Sequence, residues 1–322
     1  GEDGYFSTIF AFEPCHAYRK GKNYMTYDWP QPFDEWREET FHNQDIIAKA
    51  GFEANIIENH DQPRGASLFI PEEDYGFYSL SALATIIFCE RGLPFLYQGQ
   101  EIGMSNRRWQ YDEFNDLETI NQYQIAWKAG MSKEQALEIA GHHSRDNART
   151  PMQWSSEENA GFSKGKPWMP VNENYKVVNV AEEEKEYGSI LNFYKRLIAF
   201  YKSEEYNEIL TYGDFRPMYK KEDHIFAYSR SYGCRKLVLI CNFSSKEKDI
   251  ELSEDYENVV FVNYEQTTVI GNTLKMKPNQ IAFQILLYYV IGFSLSCHKN
   301  HTYYSQKQNP FDHVFFTHIQ RM

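Results

Sequence analysis

The sequence is poor in cysteine, and the few cysteines it has form no recognisable pattern. They are odd in number, widely spaced and without a CxxC pair: Cys15, Cys89, Cys234, Cys241 and Cys297. This arrangement argues against a disulfide framework and against a zinc site, and it favours a reducing compartment. We therefore expect a cytoplasmic protein that needs no metal and no other cofactor.

Positive charge is also scarce. The chain of 322 residues has 33 lysines and arginines against 45 aspartates and glutamates, which gives a formal net charge of -12. An acidic protein is repelled by nucleic acid and by anionic lipid. We expect neither as a partner.

Long apolar runs are missing as well. The most apolar stretch, Ile281–Cys297, is interrupted by Gln284 and Gly292, and its 17 residues are short for a membrane span. We interpret it as a final strand that runs into an atypical tail, and we see no secretory signal at the start of the sequence. These features predict a protein without a membrane segment.

Aromatic residues, by contrast, are abundant. They make up 16% of the chain, with 24 tyrosines and 23 phenylalanines. Flat rings cover the apolar faces of sugar rings, so this composition suits a carbohydrate-binding protein. A well-filled aromatic core explains it equally well, and composition alone leaves both readings open.

The first hundred residues alternate between apolar runs of strand type and of helix type. Strands are predicted at 5–13, 52–57 and 93–98, and helices at 33–50 and 75–90. This alternation predicts parallel strands joined by helical crossovers. Polar residues follow the predicted strand ends, where α/β barrels carry their chemistry: Glu13, His60, Asp61, Gln98 and Glu101.

The remainder of the chain changes character twice. Residues 107–170 are predicted to be rich in loops, with one short helix at 133–141, and an amphipathic helix is predicted at 187–203. Period-two patterns then predict strands at 226–230, 237–243, 259–262 and 281–285. We therefore predict a first domain at 1–204, a small all-β domain at 205–287 and an atypical tail at 288–322.

The segment Glu58–Arg64 is the first candidate for chemistry. Asp61 lies there between a histidine and an arginine, which can keep its carboxylate ionised. Such a carboxylate can hydrogen-bond the hydroxyls of a sugar ring, and those bonds can tighten in the transition state. An ordinary turn at a strand end is the alternative, because Asn, Asp and Pro are common turn residues. A metal site is less well supported, since no second His/Asp cluster has ligand spacing.

Two further runs stand out. Ser144–Trp154 combines two arginines, an aspartate and a tryptophan, which suits hydroxyl recognition, although a salt-bridged surface loop has the same composition. Gly92–Asn106 reads as a core strand followed by a glycine turn. Its Gln98 and Glu101 either face a site or satisfy backbone amides.

Together these runs resemble one family. Asn59–Arg64, Tyr97–Met104 and Ala148–Trp154 are similar to motifs of the α-glucosidase, oligo-1,6-glucosidase and trehalose-6-phosphate hydrolase branch of the α-amylase superfamily. The resemblance covers about residues 1–287. It implies an α/β fold, namely the C-terminal part of a TIM (β/α)8 barrel, about strands 6–8, followed by a small all-β C-terminal domain.

The resemblance also implies roles for individual residues. Asp61 matches the carboxylate that stabilises the transition state, and His60 matches a neighbouring histidine that binds hydroxyls. Arg145, with Arg149 as second choice, matches the arginine at the terminal glucose. The implied activity is that of a retaining exo-α-glucosidase, and the implied partner is a small oligosaccharide or α-glucoside.

Two departures from the family pattern limit this expectation. The segments that carry the family's nucleophile and general acid are not found, so we expect this chain to be inactive alone. Phe12-Glu13-Pro14 replaces the more usual Phe-Glu-His, which puts the leaving-group preference in doubt. A non-catalytic α-amylase-like subunit and a sucrose isomerase or transglycosylase of the same family remain alternatives.

Overall fold

The computed structural model of the chain describes residues 8–19, 22–27, 29–48, 51–254 and 258–287. Residues 1–287 form one compact unit, and the predicted tail at 288–322 lies outside the described residues. The predicted division at residues 204 and 205 stays a prediction.

The N-terminal part is built from parallel strands and the helices that connect them. Its elements are β1 (Thr8–Phe10), α1 (Phe12–Cys15), α2 (Phe33–Ile47), β2 (Phe52–Asn55), α3 (Gly65–Phe69), α4 (Phe77–Phe88) and β3 (Leu93–Pro94). The strands form a three-stranded sheet in the order β1-β2-β3, with Phe10 opposite Ala54 and Ala54 opposite Leu93. The predicted parallel strands with helical crossovers are therefore present.

All three strands are shorter than predicted, and β2 ends at Asn55 instead of residue 57. The strand predicted at 5–13 ends at Phe10, because a helix containing Pro14 begins at Phe12; its residues 5–7 lie outside the described part. Proline lacks the N–H that a strand needs for pairing, but it is tolerated in the first turn of a helix. Glu13 therefore lies in α1 rather than just beyond a strand. The strand predicted at 93–98 is reduced to β3.

The middle of the chain is more helical than predicted. It contains α5 (Leu117–Lys128), α6 (Lys133–His143), α7 (Val180–Glu183) and α8 (Ile190–Lys202). The helices predicted at 133–141 and 187–203 are confirmed as α6 and α8, whereas α5 was predicted as loop. Asp116 caps α5 by accepting hydrogen bonds from the backbone N–H groups of Glu118 and Thr119.

The C-terminal part is mostly antiparallel sheet. It contains α9 (Asn207–Tyr212), β4 (Asp214–Met218), β5 (Ile225–Tyr232), β6 (Arg235–Asn242), β7 (Lys248–Glu251), β8 (Asn258–Val262), β9 (Thr268–Ile270), β10 (Thr273–Met276) and β11 (Ile281–Leu287). The strand orders are β4-β5-β6-β11-β8 and β7-β10-β9. The four predicted strands are confirmed as β5, β6, β8 and β11. The segment 205–287 is not all-β, since it begins with α9.

Buried polar side chains connect the antiparallel sheet to the parallel part. Tyr228 on β5 donates to the carbonyl oxygen of Ile86 on α4 at 2.9 Å, and Arg230 donates to the carbonyl oxygen of Cys89 at 2.8 Å. Both side chains are fully buried, so an unmade bond would leave a desolvated polar group at a cost of about 1–3 kcal/mol. These bonds fix α4 behind the parallel strands whose loops carry the candidate site.

Candidate active site

The segment Glu58–Arg64 follows β2 and is held by its two ends. Arg64 Nη1 lies 3.0 Å from Glu58 Oε1, and both side chains are buried. The other oxygen of Glu58 accepts a hydrogen bond from the backbone N–H of Gly65. The chain therefore closes a loop over a buried ion pair, with Asp61 at its outer side.

Arg64 also connects this loop to two others. Its Nη1 donates to the carbonyl oxygen of Gln98 at 2.6 Å, and its Nε donates to the carbonyl oxygen of Asn147 at 3.3 Å. Burial raises the pKa of Glu58, and the neighbouring Arg64 charge opposes that shift. The loops after β2 and β3 and the 3-10 helix Arg145–Arg149 thus meet at one guanidinium group.

Asp61 has a different environment. Its side chain is 53% exposed, and its Oδ1 lies 2.9 Å from Arg149 Nη2 and 3.3 Å from Arg145 Nη1. Its Oδ2 lies 3.3 Å from His60 Nε2. Arg149 Nε also donates to the carbonyl oxygen of His60 at 2.8 Å. The structure therefore brings all four predicted site residues together.

One detail of the sequence reading was wrong. We expected Asp61 to be held by the neighbouring arginine of its own segment, but Arg64 turns inward to Glu58. The arginines that contact Asp61 come from more than 80 positions further along the chain. Two charge-assisted contacts on Oδ1 leave Oδ2 next to an exposed histidine and to solvent.

Sequence reasoning also missed the residues that hold the arginines. Asp116 accepts a hydrogen bond from Arg145 Nη2, and Asp146 accepts from the backbone N–H groups of Asn115 and Asp116 at 2.7 and 2.9 Å. Burial acts to raise the pKa of Asp116, but hydrogen bonds from Arg145 and Thr119 outweigh it and hold the pKa below its usual range. The signal that points to Asp116 in the sequence is its position as helix N-cap before Leu117.

Asn147 fixes the 3-10 helix that carries the two arginines. Its Nδ2 donates to the carbonyl oxygen of Gly141 at 2.7 Å and to that of Ser144 at 3.0 Å. Its Oδ1 accepts from Trp109 Nε1 at 2.7 Å and from the backbone N–H of Arg107 at 3.1 Å. The side chain is buried, so these bonds define one position for the helix.

The other polar residues at strand ends do not join the cluster. Glu101 accepts a hydrogen bond from the backbone N–H of Gly99 at 2.8 Å. Of the two alternatives given for Glu101, this contact matches the one in which it satisfies a backbone amide. Gln98 contributes its carbonyl oxygen to Arg64. Glu13 is exposed on α1, where Asn43 Nδ2 lies 3.5 Å from its carboxylate.

The loop after β1 reaches the site through a histidine. Gln62, next to Asp61, has its Nε2 at 2.7 Å from Nε2 of His16. Burial lowers the pKa of His16 to about 4, and the nearby Arg19 charge acts in the same direction. His16 is therefore neutral near pH 7 and can accept the amide proton of Gln62.

The described residues contain neither a metal-binding cluster nor a candidate membrane span. No group of three or more His, Cys, Asp or Glu side chains there is placed to hold a metal ion. In that same part of the chain, no helix is both long and apolar enough to cross a membrane.

The parallel β/α units, the antiparallel sheet that follows them and an arginine-bound carboxylate at a strand end together indicate part of an α/β barrel with a candidate site at its strand ends. The chain belongs to the α-amylase family of glycoside hydrolases: the alpha amylase catalytic domain matches residues 4–213, and the alpha-amylase SusG C-terminal domain matches residues 225–280. The resemblance inferred from the three sequence runs is therefore confirmed.

Individual relatives agree with this assignment. The oligo-1,6-glucosidase of Bacillus cereus is 41% identical over 214 residues, which cover 66% of this chain and 38% of that protein. The glucan 1,6-alpha-glucosidase of Streptococcus pneumoniae is 34% identical, over 72% of this chain and 42% of that protein. This chain thus spans well under half the length of these curated relatives.

Solved structures show the same likeness. The trehalose-6-phosphate hydrolase of Bacillus licheniformis superposes with a TM-score of 0.81 at 32% identity, covering 88% of this chain and 52% of that one. The isomaltulose synthase SmuA of Protaminobacter rubrum superposes with a TM-score of 0.78 at 30% identity, covering 86% and 50%.

Proposed function

We propose that this protein is a retaining exo-α-glucosidase that acts on α-linked gluco-oligosaccharides, and that β1–β3 correspond to about strands six to eight of its barrel. The observation that carries the proposal is the exposed Asp61 carboxylate between Arg145 and Arg149. Relatives with oligo-1,6-glucosidase activity in their names support the substrate class.

The geometry suits recognition of a terminal glucose. The two arginines contact Oδ1 of Asp61, while its Oδ2 and the 71% exposed His60 remain available for ring hydroxyls. A fixed negative charge stabilises the positive charge that develops on the ring as the glycosidic bond breaks. Asp61 would supply that stabilisation, and His60, Arg145 and Arg149 would bind the sugar.

Double displacement also needs a nucleophile and an acid whose carboxyl groups lie about 5 Å apart. The carboxylates that share an arginine with Asp61 are poor candidates. Asp116 and Asp146 are buried and accept hydrogen bonds from backbone N–H groups. Glu118 and Asp61 contact different nitrogen atoms of Arg145: Glu118 lies 4.0 Å from Nε, and Asp61 lies 3.3 Å from Nη1. Because the segments that carry the family's nucleophile and general acid are also not found in this sequence, we expect no hydrolysis by the 322-residue chain on its own.

The test is an assay of the purified chain with a nitrophenyl α-glucoside. We expect no nitrophenol release above the buffer rate. Release that rises with protein concentration and disappears in Asp61→Asn would show that the chain already holds a complete catalytic set, which would overturn the expectation of inactivity.

Sugar recognition can be tested separately from catalysis. A piperidine iminosugar of glucose configuration carries a positive charge that Asp61 would pair with. We expect it to shift the nuclear magnetic resonance signals of Arg145 and Arg149, and we expect Asp61→Asn to abolish the shift. No shift in the folded wild-type chain would contradict the proposed role of Asp61.

Sucrose isomerisation or transglycosylation is a second candidate, supported by the likeness to an isomaltulose synthase. Product analysis of the full-length protein with sucrose separates it from hydrolysis, because isomerisation gives a rearranged disaccharide instead of monosaccharides. A non-catalytic α-amylase-like subunit is a weaker candidate, since a binding-only role does not require Asp61. We also propose a cytoplasmic location, in agreement with the free thiols Cys15, Cys89 and Cys241.

A further inference from the structure

The loop after β1 touches both sides of the Asp61 cluster. We call its described residues, 16–19 and 22–27, the β1 loop. At one end, His16 contacts Gln62, the residue that follows Asp61. The His16 ring lies parallel to that of Phe12 at a centroid distance of 6.0 Å and edge-on to Tyr18 at 6.4 Å.

The other end of the β1 loop surrounds His143. The ring of Tyr18 stacks on that of His143 at 5.4 Å with an interplanar angle of 4°. Tyr24 and Tyr27 meet the same ring edge-on at 5.7 and 5.3 Å, and Trp29 does so at 5.5 Å. We call these four rings the aromatic collar.

His143 is held mainly by packing against these rings. Its side chain is buried, and within the described part of the chain neither ring nitrogen has a hydrogen-bond partner. A buried polar side chain without partners costs free energy, so its retention needs an explanation. His143 is the last residue of α6 and lies two positions before Arg145.

Two rings of the aromatic collar, Tyr24 and Tyr27, line the same cavity as Arg145. A small cavity has Arg19, Tyr24 and Tyr27 on one side and Asp116 and Arg145 on the other. A movement of the β1 loop would therefore be transmitted to Arg145 across this cavity and through His143. The same movement would reach Asp61 through His16 and Gln62.

We propose that His16 and His143 are positioning residues, through which the β1 loop sets the separation of Asp61 from Arg145. The Arg145–Asp61 contact is the longer of the two arginine contacts, at 3.3 Å, and Arg145 is shared with Asp116. A shift of less than 1 Å would leave Asp61 paired with Arg149 alone. Only the choice of a sugar ligand in the test rests on the proposed glucosidase function.

The ring of His143, rather than its proton, does the positioning. Burial lowers the pKa of His143, and His142 on its own helix and Arg19 on the β1 loop act in the same direction. Arg145, Asp116 and Glu118 are the other charged groups around the cavity. A neutral ring that is held mainly by contacts with other rings can be replaced by phenylalanine with little change in packing.

The experiment compares His143→Ala, His143→Phe and His16→Ala in the whole chain. His224→Ala is the matched control, because His224 is an exposed histidine that pairs with Asp223 in the turn before β5. One readout is the resonance of the Arg145 guanidinium group, and the other is affinity for the iminosugar. Urea unfolding confirms that each variant is folded.

We expect His143→Ala to shift the Arg145 signal and to weaken iminosugar binding about tenfold, and His143→Phe to restore both. His16→Ala should weaken binding less, and His224→Ala should change neither readout. A purely structural role would lower stability without moving the Arg145 signal in the folded variant.

Each remaining outcome decides one of the two proposals. A folded His143→Ala with an unchanged Arg145 signal and affinity overturns the positioning role. If His143→Ala does not fold, unchanged affinity in His16→Ala overturns it. If the wild-type chain binds no iminosugar but His143→Ala still shifts Arg145, the positioning role stands and the proposed glucosidase function fails.

Discussion

Two carboxylates of one short segment, Glu58 and Asp61, are treated in opposite ways. Glu58 is buried against Arg64, which comes from the same loop, whereas Asp61 is half exposed between two arginines from a distant helix. The two ion pairs differ in burial, in sequence separation and in the number of partners. One fixes the shape of the loop, and the other presents a charge to a ligand.

The contrast follows from desolvation. Burying an ion pair costs free energy because both charges lose their hydration, and only good geometry and further hydrogen bonds offset that cost. Glu58 accepts such a bond from the backbone N–H of Gly65, and Arg64 donates to two carbonyl oxygens. An exposed ion pair contributes about 0–1 kcal/mol to the stability of the fold, so little free energy is lost when one of its members binds another partner. A carboxylate that must bind sugar hydroxyls has to be of the second kind.

The largest expected effect comes from breaking the buried pair. We expect Arg64→Met to lower the free energy of unfolding by about 3–5 kcal/mol, because it leaves Glu58 as an uncompensated buried charge. Chemical denaturation measures this change. Arg149→Met is the matched control at the exposed pair, and a loss there as large as that at Arg64 would erase the contrast.

Removing the charge of Glu58 should have a smaller effect. Glu58→Gln keeps the shape of the side chain, and the Arg64 guanidinium keeps its bonds to the carbonyls of Gln98 and Asn147. We expect a loss of about 1–3 kcal/mol in the free energy of unfolding. A change within measurement error would show that Glu58 is already protonated in the folded chain.

The pH dependence of stability tests the environment of His143, which lies two positions before Arg145. Burial lowers the pKa of His143 to about 3, well below its value in the unfolded chain. Between about pH 6.5 and that value the unfolded state binds more protons, so stability falls with falling pH by about 1.4 kcal/mol per unit. His143→Phe should remove that part of the slope.

Glu53 has the opposite effect on the pH dependence of stability over part of this pH range. Burial and the nearby Glu13 charge raise its pKa to about 7, so the folded state binds more protons between about pH 4.5 and 7. The difference between wild type and His143→Phe isolates the histidine. Parallel stability curves for the two proteins from pH 6 to 4 would contradict the prediction.

The smallest expected effect on stability belongs to Asp61. We expect Asp61→Asn to change the free energy of unfolding by less than about 1 kcal/mol, since the carboxylate is half exposed. The same change should abolish iminosugar binding. A loss of stability comparable with that of Arg64→Met would mean that Asp61 serves the fold rather than a ligand.

Much of this arrangement was predictable from local patterns. Helix α2 and strands β5, β6, β8 and β11 follow clear periods, and the sequence motifs selected Asp61 and the three residues that contact it. Helix α5 was missed because its apolar residues do not form one buried stripe: Leu117, Ile125 and Trp127 are exposed, while Thr119 is buried.

The partners inside the site were not predictable in the same way. A local reading pairs Asp61 with Arg64, three positions away, but the fold turns Arg64 inward and brings in arginines from the helix after α6. Asp116 and Asn147 act through contacts with segments that are distant in the sequence. Such choices depend on which groups are buried together, and that is a property of the tertiary structure.

The bonds between β5 and α4 have a consequence for how this protein tolerates mutation. Tyr228 and Arg230 bind main-chain carbonyl oxygens, which every residue type possesses. A substitution at 86 or 89 therefore leaves the acceptor of each bond in place, whereas a side chain at Gly213 would clash with the carbonyl oxygen of Ile209. The contact between β5 and the end of α4 thus depends on the identity of two side chains of β5 and on main-chain atoms of the residues that they contact.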